Sequence, residues 1–254
     1  MTTADLPPDS ATTTDAFHRG RFHLVQPAKS AHRAGVDAML LAACVADKGG
    51  MRIADFGAGA GAAAMAVLSR CPAAHVTLIE NNDMMVECAR RTLALEQNAA
   101  YAVRASVEHQ NIEALTLPPD HFDWVIMNPP FNDPADRATP HGTKADAHVM
   151  QADLFDVWLK RAASVLHAKG QIALIARPES LPDIFNACAR RFGALRITPV
   201  HPRAGDDAIR ILLTGQKGNR KRLAICKPVI LQASANGHAF TDQADALING
   251  LRAL

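Results

Sequence analysis

The stretch that most restricts this chain is an apolar run, Met51 to Phe56, that ends without a break in Gly57-Ala58-Gly59-Ala60-Gly61. A helix-like apolar segment, Ala62 to Ser69, follows, and then a second strand-like run, His75 to Ile79. Strand, tight glycine turn, helix and strand make a crossover unit, which joins neighbouring parallel strands. A third strand is expected near Ala102 to Val107, after a helix over Asp83 to Gln97, and a fourth at Phe122 to Met127. Strands alternating with helices in this way define an α/β fold with a mostly parallel sheet. The glycines let the backbone turn sharply and let a ligand approach the helix N-terminus. Glu80 ends the second strand roughly 20 residues beyond Gly57, where doubly wound folds place an acid on a ribose. Gly57, Gly59 and Ala62 also satisfy the looser dinucleotide pattern, so the loop alone leaves the cofactor open.

The remaining elements are expected to close the sheet. Residues 1–16 read as a disordered tail, and 17–254 as one domain with an extension (17–48), a core (49–218) and a basic strand and helix (219–254). Phe17 to Ala28 shows partial alternation and is read as a hairpin or short strands. Asp37 precedes the apolar helix Ala38 to Val45 where an N-cap would stand, and Asp37 or Arg33 could instead border a ligand pocket. Helices are expected at Met150 to Leu166 and Leu181 to Arg191, with a strand at Gln171 to Ala176 between them. Trp158 falls on the apolar face of the first of these helices and reads as core. Leu195 to Val200 and Ile209 to Thr214 read as an antiparallel closing hairpin, and Ala224 to Leu231 as a last strand before a helix at Ala244 to Leu251. The expectation is a Rossmann-like, doubly wound sheet of about seven strands with a short N-terminal β extension.

Chemistry concentrates after the fourth strand, at Asn128-Pro129-Pro130-Phe131. Neither proline offers an N–H and each fixes its own φ, so the chain must leave the sheet at Asn128. Each proline also restricts its predecessor, which holds the Asn128 side chain and the Pro129 carbonyl in nearly fixed directions. Two converging oxygen acceptors suit an amine whose lone pair is delocalised into a ring or carbonyl. Bonded to its two N–H groups, they favour a pyramidal nitrogen and aim the lone pair without a strong base. Phe131 could lie against the face of the same ring, or the whole turn could simply end a strand with Phe131 in the core. Residues 129–148 have no clear periodicity, and an ordered loop of that length is expected to cover or bind substrate.

Charge and composition narrow the class. The net charge is only +2, so a nucleic-acid partner would have to be met by local clusters. Lys217, Arg220, Lys221 and Arg222 form one dense basic stretch, either a solvated turn or a set of phosphate contacts at the rim of the site. Five cysteines contain no C-x-x-C pair and sit mostly in apolar runs, which fits buried thiols in a reducing cytosol. The polar first fifteen residues do not read as a signal peptide, and no apolar run has the length of a membrane span. A cytoplasmic protein with no metal-ligand cluster is expected.

Taken together, the Asp55-to-Gly61 segment, Glu80 and the Asn128 turn resemble class I S-adenosylmethionine-dependent methyltransferases, and the turn is similar to that of the amino-methyltransferases. The segment from His32 through Arg33 and Asp37 to Ala42 resembles the bacterial tRNA(Val) adenine-N6 methyltransferase family, as does His201 to Gly205. The resemblance implies S-adenosylmethionine as cofactor, with Gly57, Gly59 and Gly61 around its methionine and ribose, Asp55 supporting the loop and Glu80 on the ribose hydroxyls. Arg33 and Asp37 join the cofactor set by the same resemblance. Asn111 stands where the family usually has an acid that accepts from the cofactor's adenine amine. Asn128, Pro129, Pro130 and Phe131 would hold the target base, and structured RNA, above all tRNA, would be the partner. Arg137, His141 and Lys144 in the long loop, with the Lys217 to Arg222 stretch, are candidate RNA contacts. Three other activities remain open: methylation of a protein glutamine, of a small-molecule hydroxyl, or none, in a fold that only holds RNA. A dehydrogenase would leave the Asn128 turn without a role.

Overall fold

The computed structural model describes residues 12–28, 33–130, 144–234 and 237–254, residues 144–152 by their backbone only. The chain begins with strands β1 (Thr12–Phe17) and β2 (Phe22–Pro27), then α1 (Val36–Ala43), β3 (Arg52–Phe56), α2 (Ala62–Arg70), β4 (His75–Glu80), α3 (Asp83–Ala94), α4 (Ala99–Ala102), β5 (Ala105–His109) and β6 (Phe122–Met127). It continues through α5 (Lys144–Val165), β7 (Leu166–Ala176), α6 (Leu181–Cys188), β8 (Phe192–His201), β9 (Arg210–Lys217), β10 (Ala224–Ile225), β11 (Val229–Ile230) and α7 (Asp242–Ile248).

Nine strands form one sheet in the order β10-β8-β9-β7-β6-β3-β4-β5, with β11 also paired to β8. Neighbours from β5 across to β7 are parallel, whereas β9 runs antiparallel to both β7 and β8. This is the expected doubly wound sheet with its closing hairpin. The expected last strand is two short pieces, β10 and β11, both parallel to β8. Pro228, which has no N–H to give a ladder, stands between them.

Two cores flank the sheet. One holds α1, α2, β2 and α7, with Leu24, Leu40, Met65 and Leu247 among its buried side chains. The other holds α5 and α6 against the opposite face, through Phe56, Phe155, Leu159 and Ile184. β3 serves both, since Ile53 faces the first and Ala54 and Phe56 the second, as the two-residue period of a strand requires. Among the described residues no helix is long and apolar enough to cross a membrane.

The structure corrects two expectations about the N-terminal region. Residues 12–16 are not tail: Thr12 to Phe17 pair with Pro27 to Phe22 in six consecutive partners. The hairpin is anchored because Phe22 and Leu24 are fully buried in the first core. Asp37 is not an N-cap either. Gly35 holds that position with no side-chain cap, and Asp37 lies in the first turn, where its carboxylate accepts from Arg210 Nε of β9 at 2.8 Å. An acid in a first turn still meets the positive end of the helix.

Candidate active site

The parallel register fixes the site. Phe56 is opposite Ile79 on one side and Met127 on the other, so the glycine loop, Glu80 and Asn128 emerge side by side at the carboxyl edge of the sheet. At the usual strand spacing, Glu80 and Asn128 flank the loop at roughly 10 Å from each other. Ligands of open α/β sheets bind at such carboxyl ends.

The loop is built by backbone bonds. Gly57 N and Ala58 N both donate to Ile79 O, at 2.9 and 3.0 Å, and Gly61 N donates to Ala58 O at 2.9 Å. Gly57, Gly59 and Gly61 have φ of 67°, 57° and 93°, the left-handed region that a Cβ disfavours. A Cβ added to Gly59 would meet nothing within 4 Å, which leaves open space beside the loop for a ligand. One added to Gly57 would lie 2.7 Å from Trp158 Cη2. Trp158 therefore covers the loop as well as packing edge-on against Phe56, with ring centroids 6.5 Å apart. Its helical spacing with Phe155 and Leu159 showed only the core half of that role.

Two acids frame the loop. Asp55 is buried, and its Oδ2 accepts from Ala64 N at 3.1 Å, so it caps α2 from the neighbouring strand. Burial pushes its carboxyl up to about 8, the Ala64 N–H opposes that rise, and the charge of Glu80 adds to it. Glu80 is half-buried, with Oε1 accepting from Asn81 N and Asn82 N and Oε2 from Gly59 N at 2.8 Å. Two donors fill Oε1, while Oε2 takes one donor and keeps a second acceptor site. That open acceptor is what a ribose hydroxyl requires.

Asn128 follows β6 directly, with Pro129 buried and Pro130 exposed. Its Oδ1 is buried and receives no hydrogen bond among the described residues. A buried acceptor left unsatisfied costs about 1–3 kcal/mol, so such a group marks a place where a partner is meant to arrive. Asn111 is exposed at the edge, where its Oδ1 accepts from Glu113 N at 2.9 Å and caps a short 3-10 turn.

Other expected residues lie elsewhere. Arg33 does not face the loop: its guanidinium donates to Asp15 Oδ2 at 2.6 Å, Thr13 Oγ1 at 3.0 Å and Pro27 O at 3.1 Å, all in the N-terminal hairpin. Burial opposes ionisation of Asp15, but hydrogen bonds from Gln26 and Thr13 and the Arg33 charge outweigh it and lower its pKa. The Lys217, Arg220, Lys221 and Arg222 stretch is not at the rim of the site. β9 runs antiparallel, so its carboxyl end lies at the opposite edge of the sheet, where Lys217 pairs with Phe192 of β8 and binds Asp120 Oδ1 at 2.9 Å. Phe131, Arg137 and His141 lie outside the described residues, as does the side chain of Lys144.

A mostly parallel sheet in this strand order, with a glycine loop, a strand-end acid and an Asn-Pro-Pro turn on adjacent strands, defines an S-adenosylmethionine-dependent methyltransferase. The chain belongs to the methyltransferase small domain family, whose model matches residues 29–197. It is 30% identical over 206 residues to a tRNA1(Val) (adenine(37)-N6)-methyltransferase of Porphyromonas gingivalis, which spans 78% of this chain and 80% of that protein. The crystal structure of a protein described as a predicted O-methyltransferase, from Agrobacterium tumefaciens, superposes with a TM-score of 0.74 at 43% identity, covering 86% of this chain and 98% of that one. A 16S rRNA N2 methyltransferase of T. thermophilus, solved with AdoMet and guanosine, shares the fold at a TM-score of 0.54 and 20% identity, over 84% of this chain and 52% of that one. The cofactor is S-adenosylmethionine, and the open space at Gly59 with the free lone pair of Glu80 fits it.

Proposed function

We propose that this methyltransferase acts on the exocyclic N6 amine of adenine in tRNA. The observation that carries the reading is the buried, unpartnered Oδ1 of Asn128, on the strand end next to the glycine loop. S-adenosylmethionine supplies an electrophilic methyl group on a sulfonium. Asn128 Oδ1 accepts one N–H of the target amine, and the Pro129 carbonyl accepts the other. The nitrogen would thereby be drawn out of conjugation with the ring and its lone pair aimed at the methyl carbon. As the N–C bond formed the S–C bond would break, S-adenosylhomocysteine would leave, and the now cationic nitrogen would give up its proton to water without a strong base. Asp55 holds the start of α2, and Glu80 fixes the loop through Gly59 N while binding ribose. Phe131 would stack on the base, and an unpaired or flipped adenine is the form in which that amine is reachable. The similarity to tRNA1(Val) adenine-N6 methyltransferases supports the same substrate.

Hydroxyl methylation is the second reading, because the 43%-identical protein is described as a predicted O-methyltransferase. A hydroxyl must lose a proton as it attacks, and the amide of Asn128 is not a base. The test supplies methyl-labelled S-adenosylmethionine with unmodified tRNA, a ribosomal protein fraction or small phenols. Label recovered as N6-methyladenosine from tRNA, abolished in Asn128→Ala, is the expected outcome. Label in a protein glutamine or in a phenol would replace this reading.

A further inference from the structure

The basic stretch displaced from the active site has its own setting. Lys221 O accepts from Ala194 N at 3.0 Å, and a Cβ on Gly193 would stand 2.1 Å from Asn219 O, so residues 219–221 lie tight against the start of β8. Arg220, Lys221 and Arg222 are all exposed, and none has a carboxylate partner among the described residues. Lys217 beside them is paired with Asp120, and His167 further along the edge has its Nε2 2.9 Å from Asp123 Oδ1.

At the other end of the same edge is a cleft of about 430 Å³, lined by Gly50, Arg52, His75, Thr77, His121 and Phe122. Among the described residues no carboxylate lines it. Arg52 Nη1 lies 3.5 Å from His121 Nδ1, while the Arg52 backbone N–H, not its guanidinium, takes Asp123. Arg52, Arg220, Lys221 and Arg222 thus place four cations on this edge, beside the carboxylates of Asp120 and Asp123. This edge faces away from the carboxyl ends of the parallel strands, where the glycine loop and Asn128 lie.

We propose that the amino-terminal edge of the sheet is a second RNA-binding surface. Arg52, His75 and His121 hold phosphates at one end and Arg220, Lys221 and Arg222 at the other, while the target base reaches the carboxyl edge. The two clusters are five strand spacings apart, roughly 24 Å, and each lies about 20 Å below the site along the strands. The substrate must then extend well beyond the loop that carries its adenine and wrap the sheet from one edge to the other. Backbone-held cations and imidazole and hydroxyl donors fit phosphates and sugars, contacts that position RNA without reading its sequence.

The inference rests on RNA as substrate, and its test separates the two. Anisotropy of fluorescent full-length tRNA is measured against salt for the wild type, for Arg52→Ala with His121→Ala, and for Arg220→Ala with Lys221→Ala and Arg222→Ala. Each variant should bind tRNA about tenfold or more weakly, with a salt slope shallower by about one for each phosphate no longer neutralised. A seven-nucleotide loop fragment should bind all three proteins alike, and S-adenosylmethionine affinity by calorimetry should be unchanged. Unchanged tRNA affinity and slope in both variants, in an enzyme that methylates tRNA, would overturn the surface and leave the substrate standing. Weakened tRNA binding in a protein that labels only phenols would keep the surface and remove the substrate. Salt-sensitive binding to phosphatidylserine vesicles, lost in the variants while tRNA binding is kept, would assign the edge to a membrane and overturn the proposal.

Discussion

Asn128 sets function against stability within one side chain. Its buried Oδ1 has no partner among the described residues, so the fold carries a desolvation penalty that, on the proposed function, a bound amine would relieve. Asn128→Ala should therefore leave thermal stability unchanged or raise it, while kcat falls by about 10²-fold or more and S-adenosylmethionine affinity stays within about twofold. Thermal melts, calorimetry and label transfer on one preparation check all three, and a large loss of stability would show that Oδ1 has an internal partner. Gly57 makes the opposite case, because nothing larger fits. Its φ of 67° and the 2.7 Å approach to Trp158 Cη2 mean that Gly57→Ala must both strain the backbone and push the indole away. A loss of about 1–3 kcal/mol in urea unfolding is expected, partly recovered when Trp158 is also reduced to Leu. Recovery identifies the indole as the obstacle, whereas an additive double variant would leave only the backbone.

Elements differ in how openly the chain declares them. The placement of the glycine loop, Glu80 and Asn128 was legible because each of these residues ends a strand or begins a turn encoded by its immediate neighbours. Arg33 and Asp37 were not, since their partners, Asp15 and Arg210, lie 18 and 173 residues away along the chain. The Lys217 to Arg222 stretch was recognised as basic but put at the wrong end, because one antiparallel strand reverses which edge a following turn occupies. The first strand was lost in a polar tail because Thr12 to Phe17 buries little itself and is held by its pairing with β2. That hairpin is part of the core. Leu24 of β2 is fully buried in the same cluster as Leu40 of α1, so Leu24→Ala should cost about 2–5 kcal/mol, as a central leucine does. A cost well under 1 kcal/mol would make the hairpin an appendage that the domain can shed.

The molecule as a whole should register two buried titrating groups that act in opposite directions. His18 lies in the hairpin turn, with Nδ1 2.6 Å from Ser69 Oγ of α2 and its ring against Gly250 beyond α7. Burial, helped by Arg21 and Arg70, lowers its pKa from 6.5 to about 4. The neutral ring is the form that folds, so stability present above pH 6.5 is lost as pH falls toward 4. Asp55 works the other way. Its carboxyl is raised from 3.8 to about 8, so stability present below pH 3.8 is lost as pH rises toward 8. Each group contributes a slope of at most about 1.4 kcal/mol per pH unit inside its own window. The two slopes oppose one another between pH 4 and 6.5, and from 6.5 to 8 the fall due to Asp55 stands alone. Asp55→Asn keeps an acceptor for Ala64 N but has no proton to lose, so its advantage over the wild type should grow with pH across that range. Urea midpoints for both proteins at pH 5, 6.5 and 8 measure the difference directly. A difference that does not change with pH would mean that Asp55 is ionised in the folded protein throughout, with Ala64 N and the helix end stabilising its charge.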